Sequence, residues 1–304
     1  MIPLDEIRAA QERLAGRVVR TPLVELDGLH LKLENLQPIG SFKLRGALNA
    51  IALAPREELA DGVVTASAGN MGQGVAWAAR ELGVACTVVV PEAAPQTKLA
   101  AIERLGGRIV KVSYERWWQA LQDAAYPEVG GFFVHPVQDE AVMAGNGTVG
   151  LELVDDRPEL DTVLTPFGGG GLSVGIASAV KALRPEARVY AVEPETGAPL
   201  TAAFAAGEPV PIEYTPSFVD GAGGPSLLPK MWPLAQEALD GAFAVSLDDA
   251  AAAVRRLAER SRVVAEGAGA LALAAADRVE GDDVCCIVSG GNIDAAKLAA
   301  ILES

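Results

Sequence analysis

Short runs of β-branched and other apolar residues alternate along this chain with longer, alanine-rich stretches whose apolar positions recur at helical spacing. Apolar runs bounded by Gly, Pro or Asp are typical of buried strands, and their regular alternation with helices is typical of parallel βαβ units. The pattern therefore predicts an α/β protein with mostly parallel sheets. The predicted strands are 62–65, 85–90, 108–112, 131–135, 162–165, 189–192 and 284–288.

Three of the predicted strands end in turns that are rich in glycine and small polar residues. Parallel sheets bind ligands at the carboxyl ends of their strands, so we expect these turns to be walls of one pocket, together with Lys43. The turns are TASAGNMGQG (65–74), TPFGGGGLSVG (165–175) and IVSGGN (287–292).

Two other segments have a recognisable character. Residues 207–225 form the longest Pro/Gly-rich stretch, and long loops in compact domains are often functional, so we expect an ordered loop beside the pocket. Residues 248–262 alternate charge and alanine, which predicts a helix with a solvated face.

Composition narrows the class of protein. The chain has 304 residues, half of them apolar, which suffices for one large domain or two smaller ones. Its net charge of −15 disfavours binding to nucleic acid or to an anionic membrane. The N-terminal stretch has no long apolar run, so we expect a soluble cytoplasmic protein. Cys86, Cys285 and Cys286 lie in apolar strand-like runs, where buried thiols are expected rather than disulfides.

A lysine in an unusual setting is the first candidate for chemistry. In PIGSFKLRGA (38–47), Lys43 follows Phe42 in a segment otherwise suited to close packing. Burial penalises a charged amine, so a lysine held there could attack a carbonyl as the neutral amine. A surface lysine that buries only its stem is the alternative. The other six lysines lie in patterns that suit ordinary surface positions: Lys32, Lys98, Lys111, Lys181, Lys230 and Lys297.

Four consecutive glycines after a strand and before a helix are the second candidate. Their amides and the helix N-terminus could form a nest for a phosphate. A dinucleotide fingerprint is the rival interpretation, with Glu193 as the ribose-binding acid, but Ser173 and Val174 stand where its third glycine is needed. A glycine-rich turn without a ligand is also open. The glycines are Gly168, Gly169, Gly170 and Gly171.

The two remaining turns offer small polar groups. SAGN (67–70) could hold a carboxylate on its backbone amides, although Ser67 could equally be an ordinary helix cap. VSGGN (288–292) places a neutral hydroxyl, Ser289, at the end of a strand. A reactive amine, a phosphate nest, a carboxylate cradle and a neutral hydroxyl are together what pyridoxal phosphate and an amino acid require.

The chain resembles the fold-type II pyridoxal-phosphate (PLP) enzymes, in particular the threonine/serine dehydratases and serine racemase. The resemblance covers nearly the whole chain, through RTPL (20–23), KLENLQPIGSFKLRGA (32–47), GNGTVGLEL (145–153) and VSGGN. It implies the fold of the tryptophan synthase β subunit: two α/β domains with mostly parallel sheets and the cofactor between them. The implied large domain comprises 1–47 plus 138–304, and a small mobile domain comprises 48–137.

The resemblance also implies roles for individual residues. Lys43 would hold the cofactor covalently, with Phe42 against its ring. Asn70 would bond the phenolic oxygen, Gly168 to Leu172 the phosphate, and Ser289 the pyridine nitrogen. The substrate would contact six residues, namely Ser67, Ala68, Gly69, Asn70, Met71 and Val137.

These implications predict an ammonia-lyase that converts a 3-hydroxy amino acid, such as L-threonine or L-serine, to a 2-oxo acid and ammonia. Serine racemase has a serine where this chain has Ala68, and an aspartate ligand where it has Pro199, so we expect neither efficient racemisation nor that metal site. Met71 replaces a histidine and Val137 an asparagine of the relatives, which suggests a bulkier, less polar substrate.

Other interpretations stay open at this point. A racemase or another β-elimination or β-replacement enzyme could use the same cofactor. A nicotinamide-dependent oxidoreductase could use the glycine loop and Glu193, and a non-enzymatic sensor could keep the pocket without releasing ammonia. Relatives are usually dimers, so a homodimer is expected.

Overall fold

The computed structural model describes residues 1–303, which form two mostly parallel sheets surrounded by helices. The strands are β1 (Leu23–Leu26), β2 (Leu29–Leu33), β3 (Val63–Ala66), β4 (Cys86–Pro91), β5 (Arg108–Val112), β6 (Phe132–Phe133), β7 (Thr162–Pro166), β8 (Arg188–Pro194), β9 (Gly241–Val245) and β10 (Val284–Val288). The α-helices are α1 (Leu4–Leu14), α2 (Lys43–Leu53), α3 (Asn70–Leu82), α4 (Gln96–Arg104), α5 (Tyr114–Asp123), α6 (Glu140–Asp156), α7 (Gly171–Leu183), α8 (Pro199–Ala206), α9 (Met231–Ala238), α10 (Leu247–Arg256), α11 (Gly267–Ala274) and α12 (Ala295–Glu303).

The larger sheet has six strands in the order β1-β2-β10-β7-β8-β9, and only the β1–β2 pair is antiparallel. The smaller sheet has four parallel strands in the order β5-β4-β3-β6. All strands of the smaller sheet lie between residues 63 and 133. The two-sheet α/β architecture is confirmed, whereas the domain boundaries at 47 and 137 remain a prediction.

Each predicted strand is present, with ends shifted by a few residues, but three strands were not predicted from the sequence. β1 and β2 form a hairpin whose turn residues, Asp27 and Gly28, both have positive φ (53° and 83°). Asp-Gly between short alternating runs is a strong hairpin signal, so this hairpin could have been predicted from the sequence. β9 lies at the sheet edge, where only one neighbouring strand pairs with it.

Helix α10 is amphipathic, which refines the prediction for residues 248–262. Its Ser246 cap accepts a hydrogen bond from Asp249 N, and Ala250, Ala253 and Val254 are buried against the core. A π-helical turn, Leu257–Ser261, follows the helix. The segment is therefore solvated on one face only.

A buried network of charged side chains joins β2, α2 and α6. Lys32 lies 2.6 Å from Glu152, and Arg45 bonds both Glu152 (2.7 Å) and Glu34 (2.8 Å). All four side chains are at most 7 % exposed. The sequence-based placement of Lys32 at the surface is therefore wrong: the two carboxylates neutralise both cations, which allows the lysine to be fully buried.

No helix within residues 1–303 combines the length and the apolar character needed to cross a bilayer.

Candidate active site

Lys43 is the first residue of α2 and is held in place from the end of β10. Phe42 N donates to Ser289 O (3.1 Å), and Ser41 forms an isolated β-bridge with Gly290. These contacts fix the start of α2 beside the VSGGN turn. Lys43 consequently lines two adjoining cavities, one bordered by the glycine loop and the other by the SAGN turn.

The Lys43 amine has the electrostatic setting of a nucleophile. Burial lowers its pKa to about 8, and the charge of Glu266 opposes this shift. Within residues 1–303 its Nζ has no ion-pair partner, and it lies 4.9 Å from the centre of the Phe42 ring. A substantial fraction of the amine is therefore neutral near physiological pH.

The glycine loop, Gly168 to Gly171, encloses the smaller cavity, which has a volume of about 40 Å³. A β-carbon at Gly169 would lie 2.3 Å from a methyl group of Val137, and Gly170 has φ +95° with the Phe167 ring close by. Side chains at these positions would fill the space or strain the loop.

This cavity suits an anion. Its lining residues include Lys43 and no acidic side chain. Helix α7 begins at Gly171, and the first N–H groups of a helix have no partner within it, so those of Gly171 and Leu172 are available to a ligand. The residues therefore fit the phosphate end of PLP.

The larger cavity has a volume of about 510 Å³ and begins at the turn between β3 and α3. Ser67, Ala68, Gly69 and Asn70 all line it and are all half-buried. Ser67 Oγ accepts a hydrogen bond from Gly69 N (3.3 Å), while the cap position of α3 is Gly69, so Ser67 shapes the turn and is not the helix cap. Phe42, Lys43, Gly221 and Ser289 line both cavities and join them into one site.

A chain of polar side chains crosses the site from Asn70. Asn70 Nδ2 donates to Glu266 Oε1 (2.7 Å), and Asn70 Oδ1 accepts from Asn292 Nδ2 (2.8 Å). Burial raises the pKa of Glu266 to about 7, and the Asn70 hydrogen bond opposes this shift. Glu266 was not predicted as a site residue. Its position as a single acid before the apolar run GAGALALA could have indicated a buried carboxylate.

The Pro/Gly-rich segment 207–225 contributes to the site, as expected. Asp220 and Gly221 line the larger cavity, and Lys98 from α4 forms an ion pair with Asp220 (2.7 Å). This pair links the smaller-sheet part of the chain to the loop across the cavity.

The structure bears on the roles that the sequence predicts for Met71, Val137 and Glu193. Met71 lines the larger cavity but is only 2 % exposed and packs in the core of the smaller sheet. Val137 contacts the glycine loop and lines the smaller cavity, away from the SAGN turn. Glu193 is fully buried and accepts hydrogen bonds from Leu200 N and Thr201 N at the start of α8. Because it is occupied there, Glu193 is not available to a ribose.

The fold and the site are those of a PLP-binding α/β enzyme in which Lys43, the cavity lysine without an ion-pair partner among residues 1–303, is the candidate for the covalent link. A family model described as pyridoxal-phosphate dependent enzyme matches residues 14–290, and the chain belongs to this family. The expectations of a fold-type II PLP enzyme and of its cofactor are thereby confirmed.

Curated relatives resemble the chain over its whole length. It is 39 % identical to an L-threonine ammonia-lyase of Thermotoga maritima, with 100 % of this chain and 79 % of the relative covered. It is 34 % identical to a catabolic L-threonine dehydratase of Escherichia coli K12, with 99 % and 96 % covered.

Two solved structures have folds similar to that of this chain. Maize serine racemase superposes with a TM-score of 0.90 at 33 % identity, covering 99 % of this chain and 96 % of that one. The processed form of threonine deaminase isoform 2 from Solanum lycopersicum superposes with a TM-score of 0.90 at 31 % identity, covering 99 % and 86 %.

Gly170→Ala is expected to weaken PLP binding at least about tenfold. Alanine would have to adopt the positive φ of this position, and its methyl group would lie 2.7 Å from the Phe167 ring. The loop would have to move to relieve both, and the phosphate would lose contacts. Gly207→Ala is the matched control, because Gly207 also has positive φ (79°) but has nothing within 4 Å of the position that the added methyl group would take. Fluorescence titration of the apo-proteins with PLP measures both. If Gly170→Ala and the wild type bound PLP with equal affinity, the glycine loop would not be the phosphate site.

Proposed function

We propose that this protein is a PLP-dependent ammonia-lyase that converts a 3-hydroxy amino acid, such as L-threonine or L-serine, to a 2-oxo acid and ammonia. One observation carries the proposal: a half-buried lysine, Lys43, lies between a glycine loop suited to an anion and a turn suited to a carboxylate. The threonine ammonia-lyases and dehydratases among the full-length relatives support this choice of reaction.

The chain's own residues divide the work between the two cavities. Gly168 to Leu172 would hold the phosphate, and Phe42 would pack against the cofactor ring. Ser289 would bind the pyridine nitrogen, and Asn70, held in position by Glu266 and Asn292, would bond the phenolic oxygen. The substrate carboxylate would bind at Ser67, Ala68 and Gly69, where the Gly69 N–H would exchange its hydrogen bond to Ser67 Oγ for one to the carboxylate.

Lys43 has two tasks. It would hold the cofactor covalently in the resting enzyme, and its free amine would remove the proton from Cα of the bound substrate. When bound, PLP would withdraw the electrons that this deprotonation leaves at Cα. The Cα–H and Cβ–O bonds of the substrate break, the proton and the hydroxide leave together as water, and the enamine that is released reacts with water to give the 2-oxo acid and ammonia.

Ser289 suits an elimination, and Ala68 argues against racemisation. Ser289 is a hydroxyl where an acid would keep the pyridine nitrogen protonated, and a weaker electron sink suits a reaction in which the electrons depart at once with the β-substituent. Ala68 cannot transfer a proton to the opposite face of Cα. Racemisation, or another β-elimination or β-replacement on the same cofactor, remains the alternative, since serine racemases share the fold.

A direct assay distinguishes these reactions. The PLP-loaded protein is incubated with L-threonine and L-serine, and 2-oxo acid, ammonia and D-amino acid are measured. We expect 2-oxo acid and ammonia in equal amounts. Accumulation of the D-amino acid without 2-oxo acid would select the racemase. If no 3-hydroxy amino acid gives 2-oxo acid, ammonia or D-amino acid, the protein would be a sensor.

The pH dependence of kcat tests the role of Lys43 as base. Because burial lowers its pKa to about 8, kcat should rise with pH and level off above about 8, where the amine is neutral. The charge of Glu266 raises that pKa, so in Glu266→Gln the rise should lie at lower pH. A kcat that does not change between about pH 6 and about pH 9 would contradict this assignment.

Assembly and location are also part of the proposal. We propose a homodimer in the cytoplasm, with a small-molecule amino acid as the only partner of the site. Light scattering of the purified protein tests the dimer, and a monomeric mass would contradict it.

A further inference from the structure

Two aromatic side chains of α5, Tyr114 and Trp117, line one side of the larger cavity, and we call them the aromatic wall. Their ring centres lie 5.6 Å apart at an interplanar angle of 44°. Trp117 packs one side against the core of the smaller sheet, whereas Tyr114 is 59 % exposed. Core packing therefore explains the position of Trp117 but leaves Tyr114 without a structural role.

Several residues that line the larger cavity together with the aromatic wall are apolar. Five further residues of the larger cavity carry no polar side chain, namely Pro91, Ala93, Ala94, Pro95 and Pro136. The charged residues of the cavity other than Lys43 already have partners: Lys98 pairs with Asp220, and Glu266 accepts from Asn70. Apart from Lys43, the residues lining the cavity thus offer no unpaired counter-charge to a charged substituent, while an apolar substituent would bury its surface.

The indole N–H of Trp117 is an unused donor. Nε1 is shielded from solvent and has no hydrogen-bond partner within residues 1–303. Because Nε1 is shielded, a substrate in the cavity could contact the ring surface of Trp117 but not this N–H group.

The larger cavity, of about 510 Å³, would have to hold the cofactor ring beside Asn70 and Ser289 as well as the substrate. The aromatic wall belongs to the part of the lining that is assigned neither to the cofactor nor to the substrate carboxylate. It is therefore available to the group at Cβ of the substrate.

We infer that the aromatic wall binds the Cβ substituent of the substrate, and that the preferred substrates are 3-hydroxy amino acids with an aromatic or large apolar group at Cβ. This inference rests on the proposed function, which supplies the reaction. L-threo-3-phenylserine is the representative probe, and its conversion to 2-oxo-3-phenylpropanoate and ammonia balances without any further reactant.

Binding of unreactive analogues tests the wall independently of catalysis. L-Phenylalanine and L-alanine lack the β-hydroxyl and cannot eliminate water, so their affinities for the PLP-loaded enzyme can be compared by calorimetry. We expect L-phenylalanine to bind at least about tenfold more tightly, since aromatic contacts plus buried area account for such a difference. In Trp117→Ala most of this preference should disappear.

Kinetics provide the second measurement. The ratio of kcat/KM for L-threo-3-phenylserine to kcat/KM for L-serine should exceed about ten in the wild type and fall at least about tenfold in Trp117→Ala. Trp118→Ala is the matched control, because Trp118 is the adjacent residue, is half-buried and is not among the residues lining the cavity. Its ratio should match that of the wild type.

These experiments distinguish an error in the inference about the aromatic wall from an error in the proposed function. If L-serine or L-threonine yields 2-oxo acid but the phenylserine ratio is below one, or is unchanged by Trp117→Ala, the inference about the wall is wrong and the lyase stands. If no 3-hydroxy amino acid yields 2-oxo acid, the proposed function is wrong. An analogue preference that Trp117→Ala removes would still support the wall in that case.

Discussion

Lys43→Ala is expected to abolish ammonia release, with kcat reduced by at least about 10³-fold. The substitution removes both the covalent anchor of the cofactor and the base that takes the Cα proton. Protein folding should not suffer, because Lys43 has no ion-pair partner within the described residues and its charge is penalised by burial. Thermal unfolding of the apo-proteins should thus give Lys43→Ala a melting temperature no lower than that of the wild type.

The control for this substitution is a lysine on the surface. Lys230 is exposed at the start of α9, so Lys230→Ala should keep both activity and the bound cofactor. Steady-state rates of 2-oxo acid formation measure the difference. A Lys43→Ala enzyme that retains more than about a tenth of the wild-type rate would show that another group carries the chemistry.

Glu152→Gln is expected to lower the free energy of unfolding by about 3–5 kcal/mol. Glu152 contacts both Lys32 and Arg45 in the buried network, so its loss as a charge leaves the two buried cations with Glu34 and with Asp156, which is 4.0 Å from Lys32 and partly exposed. Glutamine has nearly the same shape, which confines the change to charge. Urea denaturation measures the loss.

An exposed pair provides the matched control. Glu128 pairs with Arg116, and both side chains are more than half exposed, so Glu128→Gln should change stability by less than about 1 kcal/mol. Similar small losses for both variants would mean that the buried network does not hold α2 and α6 together as described.

The parts of the site that depend on backbone chemistry were predictable from the sequence. Glycine runs after apolar strands predict turns at the carboxyl ends of parallel strands, and the structure brings the turns at 67–70, 168–171 and 288–292 around Lys43. Lys43 was identified because its neighbours in the chain are apolar or small, which predicts the burial that lowers its pKa.

Residues whose role depends on distant partners could not be predicted in this way. Lys32 appeared suited to the surface because its partner Glu152 is far away in the chain. Glu266 contacts Asn70, which is 196 positions away, so only the fold reveals it. Val137 follows the same rule, since its contact with Gly169 places it at the smaller cavity. The roles of these residues are determined by contacts between distant parts of the chain, and the local sequence pattern does not reveal such contacts.

The central claim is that the amine of Lys43 carries the cofactor. Borohydride reduction of the PLP-loaded protein, followed by proteolysis and mass spectrometry of the peptides, tests it most directly. We predict one modified peptide, containing Ser41 to Arg45, with the added mass on Lys43. A modified lysine elsewhere, or no modified peptide at all, would contradict it.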